Sequence, residues 1–338
     1  MIRASRRRFL RLAAIASLLT AHAAHGANNA INESGFVRIG DVDQWIAVQG
    51  ENTGNPVILY LHGGPGEAQS PFLKEFVPWE RDFTVVNWDQ RGFGKTFGRN
   101  GSSVPLPTLD RLIDDVVEIA QHLQSRLSQR KVILVGQSWG SLLGVNVIKR
   151  RPELFHAFVG TGQVESFAAT VDDQIRWARL QATAASDHTT LEAIDATLTL
   201  PPNRRLIAQA GAAKKYTLSP ADAGYAKMVT DFMESGRFKT DGDASDWIAG
   251  SKFSGEKLGP VAVSMDLRDL GLDMPIPFFV IQGREDHIAG FEPAKRYTQD
   301  VRAPVKAFVA IDGGHYACFT HAAQFVAALR KYVRPLAV

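Results

Sequence analysis

The chain has 338 residues, 45% of them hydrophobic and 22% charged, with 29 glycines, 16 prolines, one cysteine and a formal charge of +3. This composition belongs to a globular protein with a sizeable core and excludes a disordered, collagen-like or disulfide-stapled chain. Beyond the N-terminus, no apolar run reaches the roughly 18 to 20 residues that a membrane-spanning helix needs.

Residues 1–26 open with Arg3, Arg6, Arg7, Arg8 and Arg11, continue with an apolar stretch from Leu12 to Leu19, and end on small residues around Ala21-His22-Ala23 and Ala24-His25-Gly26. That order predicts an export signal whose apolar part is too short to serve as an anchor. Ser5-Arg6-Arg7-Arg8-Phe9-Leu10-Arg11 resembles the bacterial twin-arginine signal, so the expected location is periplasmic or secreted. Loss of the segment's five arginines would take the formal charge from +3 to −2. The remaining chain then offers no electrostatic case for nucleic acid. A lone Cys318 cannot form an internal disulfide, which suits a route that carries proteins already folded.

Along the body, Gly35 to Ile39 and Gln44 to Gln49 read as an antiparallel hairpin at a sheet edge. Short apolar runs at Val57 to Leu61, Phe83 to Trp88, Val132 to Val135, Ala157 to Gly160, Phe278 to Ile281 and Val305 to Ile311 lack strict alternation, as strands covered on both faces do. Helical patterns lie between them at Leu109 to Leu127, Ser138 to Arg150, Glu292 to Val301 and Thr320 to Val333. The alternation predicts an α/β fold with a mostly parallel, doubly wound sheet. Residues 163–272 break it. Only helical patterns fill that span (Val171 to Ala185, Thr190 to Leu198, Ala221 to Met233, Ala244 to Lys252), divided by Pro201-Pro202, Gly211 and Gly242. The expected organisation is a core of residues 27–162 and 273–338 with a helical cap, 163–272, roofing the carboxyl ends of the strands.

Gly136-Gln137-Ser138-Trp139-Gly140 matches G-x-S-x-G between a predicted strand and a predicted helix. A sharp turn there forces the serine into unfavourable torsions and presents its hydroxyl at a helix N-terminus. A serine hydroxyl needs a base and an orienting carboxylate. The next two strand ends supply them in the order this chemistry uses, Asp286 in "QGREDHIAG" and His315 in "DGGHYACF". Glu285 has less suitable spacing, His22, His25 and His321 lack the placement, and His287 reads as a neighbour. Glycines in His62-Gly63-Gly64-Pro65-Gly66 leave room for backbone N–H groups near an oxyanion, so Gly64 and Trp139 are the expected donors and His62 is structural. No clustered His/Cys spacing implies a metal, and no organic cofactor is expected.

His62-Gly63-Gly64-Pro65-Gly66, "WDQRGFGKT" at 88–96 and "GQSWGS" at 136–141 together resemble the α/β-hydrolase fold, within it the proline iminopeptidase branch of serine peptidases (peptidase family S33). The resemblance spans most of residues 36–334 but not the cap. It implies a Ser138-Asp286-His315 triad, a structural D-Q-R-G turn in which Asp89 and Arg91 brace loops near the site, and a small-molecule or short-peptide substrate. That branch binds a free amino group with acids from the cap. Its W-E-G signature is absent here, and Glu165 is the candidate, followed by Asp172 and Asp173. Gln137 and Thr96 depart from the family pattern without touching the chemistry. The leading expectation is an exported serine hydrolase, aminopeptidase-like. The alternatives are a carboxylesterase or lactonase on small apolar esters, and a non-catalytic ligand-binding protein that kept the fold.

Overall fold

The structure is a computed structural model that describes residues 29–234 and 243–337. The segment read as an export signal lies outside the described residues. Eight strands form one sheet: β1 (Ile31–Ile39), β2 (Val42–Gly50), β3 (Val57–Leu61), β4 (Thr84–Trp88), β5 (Val132–Gln137), β6 (Phe155–Thr161), β7 (Phe278–Gly283) and β8 (Lys306–Ile311). Their order is β1-β2-β4-β3-β5-β6-β7-β8. β1 and β2 pair antiparallel, as do β2 and β4, and the remaining neighbours are parallel. The edge hairpin is longer than its apolar residues suggested. It closes through Gly40 and Asp41, both at positive φ (50° and 62°), the torsions a two-residue turn requires.

Successive residues of the inner strands enter two separate cores. Leu59, Leu61, Leu134, Phe158, Phe278 and Val280 pack with Leu112, Val116 and Leu142, from helices Leu109–Arg126 and Trp139–Arg150. Ile58, Tyr60, Ile133, Val135, Phe279 and Ile281 pack on the other face with Trp79, Phe325 and Leu329. With both faces covered there is no solvent side to keep polar, which explains the uninterrupted apolar runs.

Between β6 and β7 the described helices are Phe167–Ala184, His188–Thr197, Pro202–Ala213, Ala223–Glu234 and Asp243–Ser264. Two departures from the predicted elements stand out. Pro202 opens a helix and Gly211 lies within it, where the sequence suggested breaks. The last helix runs through Pro260 well beyond Lys252. At the C-terminus the predicted helix Thr320 to Val333 is present as Ala322–Ala328 running directly on into Leu329–Val333, and a short helix, Ala317–Thr320, precedes it. Among the described residues no helix is long and apolar enough to cross a membrane.

β3 has β4 on one side and β5 on the other, so the chain's winding reverses between β3 and β5. A crevice opens at the carboxyl ends of strands that diverge this way. The β3 loop carries Gly64 and the β5 loop carries Ser138, which places both on that crevice.

Candidate active site

Ser138 joins β5 to helix Trp139–Arg150 with φ 53° and ψ −118°. Such torsions cost a non-glycine residue about 1 to 3 kcal/mol and persist only where the surroundings impose them. Here Ser138 N–H donates to Thr161 O at 3.0 Å, while Ser138 O accepts from Ser141 N at 2.8 Å and Ser141 Oγ at 2.7 Å. The flanking glycines are sterically obligatory. A Cβ on Gly136 would stand 2.3 Å from Gly140 O, and one on Gly140 would stand 2.1 Å from Leu61 O. Gly140→Ala is therefore expected to destabilise the fold by about 2 to 3 kcal/mol, because only backbone could yield. Gly211 meets nothing within 4 Å. Its replacement by alanine inside an exposed helix is expected to stabilise by up to about 1 kcal/mol. Urea midpoints of the two variants should move in opposite directions.

Asp286 and His315 follow β7 and β8, and both are buried, at 0% and 3% exposure. His315 Nδ1 lies 3.1 Å from each Asp286 carboxylate oxygen. Asp286 Oδ1 also accepts from Ile288 N at 3.0 Å and Ala289 N at 2.9 Å, and Oδ2 accepts from Gln282 Nε2 at 2.7 Å. Burial pushes the Asp286 carboxyl up, but His315 and these backbone donors more than offset it and hold it below the ordinary value. For His315, burial favours the neutral ring, yet the Asp286 carboxylate, with Glu67 and Asp222 beyond it, holds the imidazole above its ordinary 6.5.

The imidazole packs against Gly162, next to the elbow. That glycine follows Thr161, the partner of Ser138 N–H, and a Cβ on it would lie 2.8 Å from His315 Cε1. Hydroxyl, imidazole and carboxylate thus stand at the ends of β5, β8 and β7, on one end of the sheet.

A cavity of about 300 Å³ opens over Ser138. Gly64, Pro65 and Trp139 line it beside the serine; Leu142, Val164, Phe167 and Ile288 form apolar walls, and Gly259, Ala262 and Val263 come from helix Asp243–Ser264. The glycine loop and the elbow are tied by one buried chain. His62 Nδ1 donates to Gly63 O (3.0 Å), His62 Nε2 accepts from Gln90 N (3.3 Å), and Gln90 Oε1 accepts from Trp139 Nε1 (3.2 Å). Burial lowers the His62 pKa to about 4, so this ring is neutral and structural, as expected.

Asp89 braces a loop near the site, accepting from Ser70 Oγ at 2.6 Å and from Lys95 N at 2.8 Å. Arg91 points the other way, to Asp115 at 2.7 Å and to Gly40 O at 2.8 Å, so it secures the edge hairpin and not the site loops. Glu165 corrects a sequence expectation. It does not line the cavity; its carboxylate is paired with Arg268, whose other branch reaches Asp300 at 2.8 Å. Asp172 is exposed and Asp173 pairs with Arg176 at 2.9 Å, beside a separate open depression where His287 stacks on Trp177 at 3.9 Å.

Three neighbours escaped the sequence reading. Gln282 holds Asp286. Asp222, from the inserted helices, accepts His315 N–H at 2.7 Å and Tyr316 N–H at 3.1 Å. Glu67, directly after the glycine loop, accepts from Tyr316 Oη at 3.2 Å. Glu67 and Gln282 had a signal, the first beside the glycine motif and the second at the head of the stretch that carries Asp286; Asp222 had none. Among the described residues no group of three or more His, Cys, Asp or Glu side chains gathers as a metal site.

A family profile described as alpha/beta hydrolase fold matches residues 56–322. The chain belongs to that family. It is 38% identical over 127 residues to the probable aminopeptidase YbaC of Bacillus subtilis (strain 168), a match covering 37% of this chain and 40% of the relative. It is 29% identical over 132 residues to the proline iminopeptidase of Neisseria gonorrhoeae, covering 38% and 39%. The chain thus spans about two fifths of the length of the curated relatives it matches. Among solved structures, a proline iminopeptidase-related protein from Thermus thermophilus superposes with a TM-score of 0.63 at 17% identity, covering 91% of this chain and 99% of that one. Within the family the chain resembles the proline iminopeptidase branch in sequence, and the solved structure shares its fold.

Proposed function

We propose that this protein is a serine hydrolase acting through an acyl-enzyme, with an aminopeptidase of the proline iminopeptidase type as its activity. The observation that carries the reading is the strained Ser138 elbow held beside the buried His315–Asp286 pair. His315 Nδ1 is engaged by Asp286, so Nε2 is the nitrogen left to take the Ser138 proton as Oγ attacks an acyl carbonyl. Backbone N–H groups of Gly64 and Trp139, which line the same cavity, are assigned to the oxyanion. The imidazolium then protonates the leaving group, and water repeats the sequence to release the acyl product. Export rests on the arginine-led N-terminal sequence and belongs to the same proposal.

A second reading, carboxylesterase or lactonase, is favoured by the apolar lining of the cavity over Ser138 and by the engagement of Glu165 with Arg268. Assaying proline p-nitroanilide and p-nitrophenyl acetate side by side decides between them. Release of p-nitroaniline is expected; rapid ester cleavage with none from the anilide would move the assignment to an esterase.

The pH dependence has a definite sign. The mechanism needs His315 neutral, and its pKa is held above the ordinary 6.5. Activity is therefore expected to be full above that raised value and to fall as pH drops through it. A kcat/KM profile with its acid limb below 6.5 would contradict the assignment of His315 as base.

A further inference from the structure

Asp222 lies in the short turn Pro220–Asp222, ahead of helix Ala223–Glu234, and is fully buried although it belongs to the inserted segment and not to the sheet. Its carboxylate accepts two consecutive amides of the loop after β8, His315 N–H on Oδ2 at 2.7 Å and Tyr316 N–H on Oδ1 at 3.1 Å. A buried carboxylate is costly unless charge-assisted bonds compensate it, so the turn and the loop hold each other in one register. Three further contacts secure the turn at the same place. Ser219 Oγ donates to Glu285 Oε2 at 2.5 Å, next to Asp286 in the loop after β7. Gly314 precedes His315, and a Cβ on it would stand 2.2 Å from Asp222 Oδ2 and 2.8 Å from Ser219 Cβ. Tyr225, three residues beyond Asp222, stacks on Tyr316 at 4.3 Å. One inserted turn thus grips both loops, the one with the imidazole and the one with its carboxylate.

We propose that Asp222 is a positioning residue that fixes His315 from the inserted segment, making the helices between β6 and β7 part of the catalytic geometry. The proposal rests on the reading of His315 as the base. Both Asp222 oxygens are engaged and the side chain is fully buried, so it acts through the His315 backbone and not on a substrate. Its charge acts as well. Burial disfavours the protonated ring, and against it stand the acids that face the imidazole: Asp286 at 3.1 Å, Glu67 from the loop after β3, and Asp222. Each favours the imidazolium that forms when His315 takes the Ser138 proton.

Asp222→Asn removes the charge and keeps one oxygen for an amide. NMR titration of the full chain with isotope-labelled histidine, the His315 signal assigned by its loss in His315→Ala, should show the His315 pKa lowered by at least about half a unit. Steady-state rates on whichever of the two chromogenic substrates is cleaved should show kcat down about tenfold on the alkaline plateau, with KM within about threefold. A pKa that does not move, or a plateau kcat that does not fall, would overturn the proposal. So would a KM raised beyond that range, the mark of a substrate contact. Should Asp222→Asn not fold, Gly314→Ala tests the same grip from the other side, because its methyl group displaces the Asp222 carboxylate without removing a charge. The same losses of rate and pKa are expected, and a folded Gly314→Ala chain lacking either would overturn the proposal. Fluorophosphonate labelling of Ser138 reads the catalytic assignment separately. A labelled chain whose His315 pKa ignores Asp222→Asn loses the positioning role alone. An unlabelled chain loses the catalytic reading, while a moved pKa still shows the hold of Asp222 on His315.

Discussion

Replacing Ser138 with alanine is expected to lower kcat about a million-fold, equivalent to about 8 kcal/mol of barrier, on any substrate the enzyme turns over. The backbone that positions this residue does not depend on its hydroxyl. Its N–H still meets Thr161 O, and its carbonyl still accepts from Ser141. Alanine suffers the same positive φ as serine, so the strain is unchanged and thermal stability should move little. What disappears is the oxygen to which the proposal assigns the acyl bond. A residual rate above water is expected from the Gly64 and Trp139 donors, which the substitution leaves in place. Steady-state rates beside a melting curve check both halves. A variant that folds normally and keeps more than about 1% of the rate would assign the nucleophile elsewhere.

Asp286→Asn should cost about ten-thousand-fold through a different route, the histidine tautomer. The two backbone donors, Ile288 N–H and Ala289 N–H, both point at Oδ1 and will keep an oxygen there. The asparagine amide nitrogen then takes the Oδ2 position, facing His315 Nδ1 and Gln282, and donates to the ring. An imidazole that accepts at Nδ1 carries its proton on Nε2 and cannot take another from Ser138. Loss of the carboxylate also removes the largest influence raising the His315 pKa. The acid limb of the residual activity should therefore shift to lower pH. A small loss of rate with an unmoved limb would mean that Asp286 is only a loop-holding residue.

The parts legible in the sequence were those set by local or ordered patterns. The elbow declared itself because strand, glycine-serine-glycine turn and helix are contiguous, and each glycine answers a backbone contact within the turn or across to Leu61. Asp286 and His315 were found because strand ends impose a chain order. Glu165 misled because its partner, Arg268, is 103 residues away and no pattern near Glu165 announces it. Asp222 was missed for the same reason, since the amides it caps lie 93 and 94 residues further on. Glycines and prolines among the inserted helices were read as breaks. Pro202 instead begins a helix, where its missing N–H costs nothing, and Gly211 lies within the same helix.

The central claim is that Ser138 is the nucleophile, and proteolytic mass spectrometry of the fluorophosphonate-treated chain tests it most directly. The account predicts a single phosphonyl adduct on the peptide containing Ser138, absent after Ser138→Ala. Hydrolytic activity accompanied by an adduct on another serine, or by no adduct at all, would contradict it.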